Sequence, residues 1–304
     1  MPFDAGRVLI VLVAAASFWQ PARGVLLLAV LAPMSAVAAF RSSSPVQLAD
    51  ALALGFLAGW IVRRHRPVRG PAFPALAVSA MCALGLLALI QIRARVWSAG
   101  HALEGTALAF AAADLFRSRP NLAVRLPAAV AGGLLASALA AWATGLPVLA
   151  PAAPAMMACA CAGTALRKPG SGAVFWRGPW AWAVASGASL IVAVLVAASA
   201  RQRSPLLEHF GRIELVLVGS VVATLLWQVA RGIVARPGDA RLVGFATGLI
   251  AYVGVGALDG VTASDGCVGF WLMIGLTAGL AGSNLLGESG PARDAAASVH
   301  ASCG

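Results

Sequence analysis

The sequence predicts an all-α fold: a polytopic transmembrane bundle of 10–12 helices. Three observations carry that prediction. The 304 residues are 60% apolar and 11% charged, with a mean hydropathy of +0.87. Soluble domains carry about 25% charged residues. The apolar residues fall into eleven runs, most of them near the length that crosses a bilayer. The basic residues alternate between the connecting loops with a strong bias to one side. An ordinary soluble enzyme, a disordered chain and a disulfide scaffold are excluded by this composition.

The runs are Val8–Gln20, Gly24–Phe40, Gln47–Val62, Pro71–Ile92, Ala102–Phe116, Leu126–Leu146, Pro147–Leu166, Trp180–Ala200, Ile213–Ala230, Leu242–Leu258 and Val268–Leu286. The first is short, reaching only about 20 Å as a helix. It reads either as a separate span or as half of one broken unit with the second. A cleaved leader is disfavoured there, because the residues ahead of it offer one Arg and one Asp. Pro147, Pro151 and Pro154 predict an irregular start to the seventh run. Residues 1–286 form the membrane domain, and the polar, small-residue stretch 287–304 reads as a disordered tail.

Loop charge orients this array. With Arg63–Arg69 on the cytoplasmic side, alternation puts fifteen of the 22 Lys+Arg inside and seven outside. The net charge of +11 therefore reads as an anchor to the inner leaflet, and membrane lipids are the expected partners. A nucleic-acid surface needs its basic residues gathered on one soluble face, and none is expected. Trp19, Trp60, Trp97, Trp142, Trp176 and Trp180 lie near run ends, and Trp182, Trp227 and Trp271 within about a turn of them, as interfacial rings prefer. Five cysteines form no C-x-x-C pair, and no histidine lies near Cys159 or Cys161, so no metal site is expected.

Few polar residues remain to carry chemistry. Gly55/Gly59, Gly244/Gly248 and Gly275/Gly279 have the small-x-x-x-small spacing of close helix contacts. Glu104 and Asp114 lie ten residues apart in the fifth run. Asp114, with Arg117 nearby, reads as an interfacial charge. Glu104 lies one turn from the outer end, next to His101, and an ionisable group just inside the membrane needs a cavity or a partner. The richest segment is Arg201–Glu214, on the outer side, with three arginines, His209 and two glutamates. Arginine forks suit diphosphate oxygens, and a histidine exchanges a proton near neutral pH. The plainer reading of the same segment is a hairpin whose arginines meet lipid headgroups.

Glu214–Gly219 (ELVLVG) resembles the E-L-G-L-x-G element of the O-antigen ligase and polymerase family, which opens a late membrane helix a few residues after a histidine. Here His209 precedes Glu214 by five residues. Gly24–Met34, Leu48–Arg64, Leu103–Arg117 and the last two runs are similar to the family's layout. The resemblance implies a bacterial inner-membrane glycosyltransferase of the GT-C type. Such proteins move glycan from an undecaprenyl diphosphate carrier to an acceptor hydroxyl at the outer face, without a nucleotide sugar, and the ligases need no metal. No cofactor is therefore expected. Carried over by position, His209 assists the acceptor and Arg201, Arg203 and Arg212 hold the diphosphate. Glu104 is the second candidate catalytic residue. The chain differs from the family in its short outer loop, in Val216 at the glycine position and in Phe210 after the histidine. That loop leaves both an active transferase and a catalytically silent relative open. Two non-enzymatic readings stand beside them: a transporter or flippase with Asp50 and Glu104 lining its cavity, and an assembly partner in envelope polysaccharide synthesis.

Overall fold

In the computed structural model, the described residues are 3–39, 48–63, 78, 82–83, 96–144, 152–166, 184, 186–191, 212–235, 240–259 and 267–286. Among them the ordered elements are helical, and nine are complete helices. These are α1 (Phe3–Trp19), α2 (Pro21–Ala39), α3 (Leu48–Arg63), α4 (Val96–Ser118), α5 (Leu122–Thr144), α6 (Ala152–Ala165), α7 (Arg212–Ala235), α8 (Ala240–Asp259) and α9 (Cys267–Leu286). Each overlaps one of the expected runs. Most of the runs Pro71–Ile92 and Trp180–Ala200 and all of the tail 287–304 lie outside the described residues.

The first two runs are separate helices. Gln20 N–H donates to Ala16 O at 2.8 Å and Gly24 N–H to Gln20 O at 3.2 Å, closing a tight turn. Gly24 lies directly against Ser17, so α1 and α2 form an antiparallel hairpin. Ser17 also faces Gly59, where a Cβ would stand 2.6 Å from the Ser17 Cβ. Three helices meet at Ser17, and its hydroxyl is satisfied within α1 by Val13 O at 2.6 Å. The turn is closed from α3 by Arg63, whose Nε donates to Phe18 O at 2.8 Å. That bond satisfies a carbonyl left over at the end of α1.

Glycines decide how the remaining helices meet. Pro33 removes a backbone donor inside α2. Its own carbonyl accepts from Ser137 Oγ of α5 at 2.9 Å, and a Cβ at Gly133 would lie 2.5 Å from Val30 O. Gly244 and Gly163 bring α8 and α6 backbone to backbone, and Gly248 faces Met156 O. Gly275 sits on the Ala109 carbonyl of α4, and Gly279 on Phe116. All three small-x-x-x-small motifs are thus helix contacts, as their spacing predicts.

These contacts also fix relative direction. Gly6 meets Leu48 and Gly59 meets Ser17, so α1 and α3 run parallel. Val30 meets Gly133 and Pro33 meets Ser137, so α2 and α5 run parallel. Gly105 meets Trp271 and Gly279 meets Phe116, so α4 and α9 run parallel. Gly163 meets Ala240 and Met156 meets Gly248, so α6 and α8 run antiparallel. An alternating array of eleven spans requires these same four relations.

The arrangement places Arg23, Arg63, Arg117, Arg119, Arg125, Arg231 and Arg241 at one end of the bundle. The outward faces are apolar: Trp142 is 84% exposed, Val234 82%, Trp19 78% and Trp227 69%, with Val11 and Ile61 also open. Buried polar residues lie inside, among them Asp50, Thr106, Ser137, Gln228 and Thr277. By length and hydropathy, one helix among the described residues, Leu122–Ala140, is long and apolar enough to cross a membrane, and six apolar helical stretches are shorter. Two tryptophans depart from the interfacial expectation. Trp60 and Trp271 are 9% and 4% exposed and fill the core. Trp271 is buried because Gly105 leaves the surface of α4 open to its indole.

Candidate functional site

The described part of the site lies near the N-terminal ends of α3, α4 and α9, opposite the arginine-rich end. Asp50 stands in the first turn of α3, where the helix dipole favours a negative charge. It is buried, at 9% exposure. Glu104 lies two turns into α4 and is partly buried. The two carboxylates come from helices that touch, and Asp50 is a like-charged electrostatic neighbour of Glu104. Gly105, next to Glu104, carries the indole of Trp271, and the buried Thr106 follows. Trp271 meets Phe270 edge-on at 5.6 Å, and Phe270 stacks on Tyr252 at 4.3 Å. An aromatic row from α8 and α9 therefore packs on α4 at Gly105.

Of the expected site residues, Glu104 is the one whose side chain is described. Arg212 is the first residue of α7, placed by its backbone. Glu214 follows in the first turn, so the ELVLVG element opens a late helix. The chain alternates through α7, α8 and α9. Gly232 near the end of α7 faces Leu242 of α8 and Ala281 of α9, while Tyr252 stacks on Phe270. Arg212 thus begins α7 at the end of the bundle where α4 and α9 also begin. His209, Arg201 and Arg203 lie outside the described residues. Asp114 interacts electrostatically with Arg117, which is the role its position near the run end predicts.

The nearness of Asp50 to Glu104 is not visible in the sequence, because 54 residues separate them. Trp271 was readable only as an interfacial ring. The signal for its buried role is the pair Gly105 and Trp271, which becomes meaningful once α4 and α9 are known to be parallel. Comparisons with protein families, with curated proteins and with solved structures give no match.

Glu104 supports a direct test. If its carboxylate serves the site, Glu104→Gln lowers function while insertion and protein level are kept. Fold stability stays level or rises slightly, because an amide replaces a partly buried ionisable group in the field of Asp50. Complementation of a deletion strain, read beside the melting temperature of the purified variant, checks both parts. Full function at normal protein level removes Glu104 from the site.

Proposed function

We propose that this chain is a multi-pass protein of the bacterial inner membrane that transfers lipid-linked glycan at the outer face, in the manner of the O-antigen ligases and polymerases. The observation that carries the membrane part is the apolar surface of the bundle. Large apolar side chains stand exposed on its outward faces, around a core that is itself mostly apolar. Soluble monomers rarely expose apolar patches beyond a few hundred Å². The four helix-pair directions and the gathering of arginines at one end support the same reading. The transfer part rests on the ELVLVG element opening α7 at the end that holds Glu104.

In the proposed reaction an acceptor hydroxyl oxygen forms a bond to the anomeric carbon of the carried glycan. The bond from that carbon to the undecaprenyl diphosphate oxygen breaks. His209 takes the acceptor proton, and the departing diphosphate keeps the electron pair. Arg201, Arg203 and Arg212 neutralise its growing charge. No step needs a metal or a nucleotide sugar.

A second reading is favoured by one specific observation, the electrostatic coupling of Asp50 and Glu104 on helices that touch. Paired acids inside a membrane bundle mark ion or solute paths, and a transporter or flippase uses such a path. A deletion strain separates the two. Transfer predicts undecaprenyl-linked glycan accumulating on the outer face, where an added glycosidase reaches it in spheroplasts. A flippase predicts accumulation on the inner face. An unchanged envelope glycan profile counts against both and leaves the assembly-partner role.

A further inference from the structure

The inference concerns the arginine-rich end and rests on the membrane part of the proposed function. Helices α2 and α5 run side by side and parallel, joined at Pro33–Ser137 and at Val30–Gly133. Counting back along both helices brings Arg23 of α2 and Arg125 of α5 to the same level within about one turn. Arg119 belongs to the tight connection into α5, where Leu122 N–H donates to Arg119 O at 3.0 Å and Arg125 N–H to Asn121 O at 3.2 Å. Arg23, Arg119 and Arg125 are all exposed.

Two features make this cluster unusual. First, Arg23 and Arg125 occupy the first turn of their helices, and neither first turn holds an acidic residue. A cation there opposes the positive end of the helix dipole, which is locally unfavourable. The two parallel helices place both dipole ends and both arginines side by side, and an anion between them relieves all four. Second, of the carboxylates whose side chains are described, the one at this end interacts with another arginine. Asp114 is engaged with Arg117, and Asp50 and Glu104 lie toward the opposite end of the bundle. Within about 17 Å of that end, the outward faces of the same two helices carry Leu27 and Met34 on α2 and Leu135 on α5. A charged site continuous with an acyl-chain surface fits a ligand with an anionic head and apolar tails.

We propose that Arg23, Arg119 and Arg125 form a headgroup site for an anionic phospholipid of the inner leaflet, with its acyl chains along α2 and α5. Each surface arginine adds about fivefold to the binding of an acidic lipid, so three give roughly a hundredfold. The protein, extracted from membranes in neutral detergent, is titrated with phosphatidylglycerol and phosphatidylcholine, and retained lipid is counted by native mass spectrometry. Wild type is expected to prefer phosphatidylglycerol. Arg125→Gln lowers the preference about fivefold, and the triple change Arg23→Gln, Arg119→Gln and Arg125→Gln abolishes it. Arg231→Gln, at the same end on α7, leaves it unchanged, and inorganic phosphate at equal concentration does not displace the lipid. An undiminished preference in a folded triple variant overturns the site. So does an equal loss with Arg231→Gln, which means diffuse charge, and so does displacement by inorganic phosphate, which means a free-anion site. A chain absent from the membrane fraction fails the membrane reading itself, before any titration.

Discussion

His209→Ala is expected to remove nearly all glycan transfer, by about 10²–10⁴-fold, while the protein reaches the membrane at normal level. The effect expected is the loss of acid–base assistance to the acceptor. The arginines give the matching signature. At whichever of Arg201, Arg203 and Arg212 grips the diphosphate, Arg→Lys hurts nearly as much as Arg→Ala, because a point charge does not replace a bidentate fork. Complementation of a deletion strain at matched protein level reads both effects. If the segment only rests on lipid headgroups, Arg→Lys and His209→Ala are both silent.

Gly275→Val is expected to be the most damaging change in the bundle core. Even a Cβ at this position meets the Ala109 carbonyl and stands 2.8 Å from the Ala112 Cβ. Backbone cannot step aside as a flexible side chain does, so α9 must move away from α4. Overpacking of this kind costs about 1–3 kcal/mol, and a branched side chain lies at the upper end. Gly132 on α5 is the control, since a Cβ there meets nothing within 4 Å. Gly132→Ala is neutral or stabilising by up to about 1 kcal/mol through helix propensity. Melting temperatures in detergent compare the two. Equal stability would mean that α4 and α9 are not in close contact.

The helices were legible because apolar runs and their breaks are local signals. Glycine spacing marked which faces meet, and Gly55/Gly59, Gly244/Gly248 and Gly275/Gly279 all proved to be contacts. Partners were not legible, because a small-residue face does not name the helix that covers it. Nothing in the pattern around Gly244 points to Gly163, 81 residues earlier. The hairpin at Gln20 was ambiguous for a related reason. A short polar break serves a tight turn and a broken span equally, and the contact of Ser17 with Gly24 decides it. Composition misled at Trp60 and Trp271, since tryptophan suits an interface and a large core pocket alike. Glu104 stood out as an ionisable group within an apolar run. Its neighbour Asp50 required the packing of α3 on α4.

The reading as an oriented membrane bundle is tested most directly by accessibility from outside the cell. Arg66→Cys and Ser204→Cys are introduced separately into a background with all five native cysteines replaced, and whole cells are treated with a membrane-impermeant thiol reagent. In the proposed orientation the bundle's basic end, which includes Arg63, faces the cytoplasm. The thiol at position 204 is therefore labelled in intact cells, and the thiol at position 66 reacts only after the membrane is opened. Labelling at 66 but not at 204 in intact cells reverses the orientation and moves every proposed catalytic residue to the wrong face. Recovery of both variants in the soluble fraction contradicts the membrane bundle altogether.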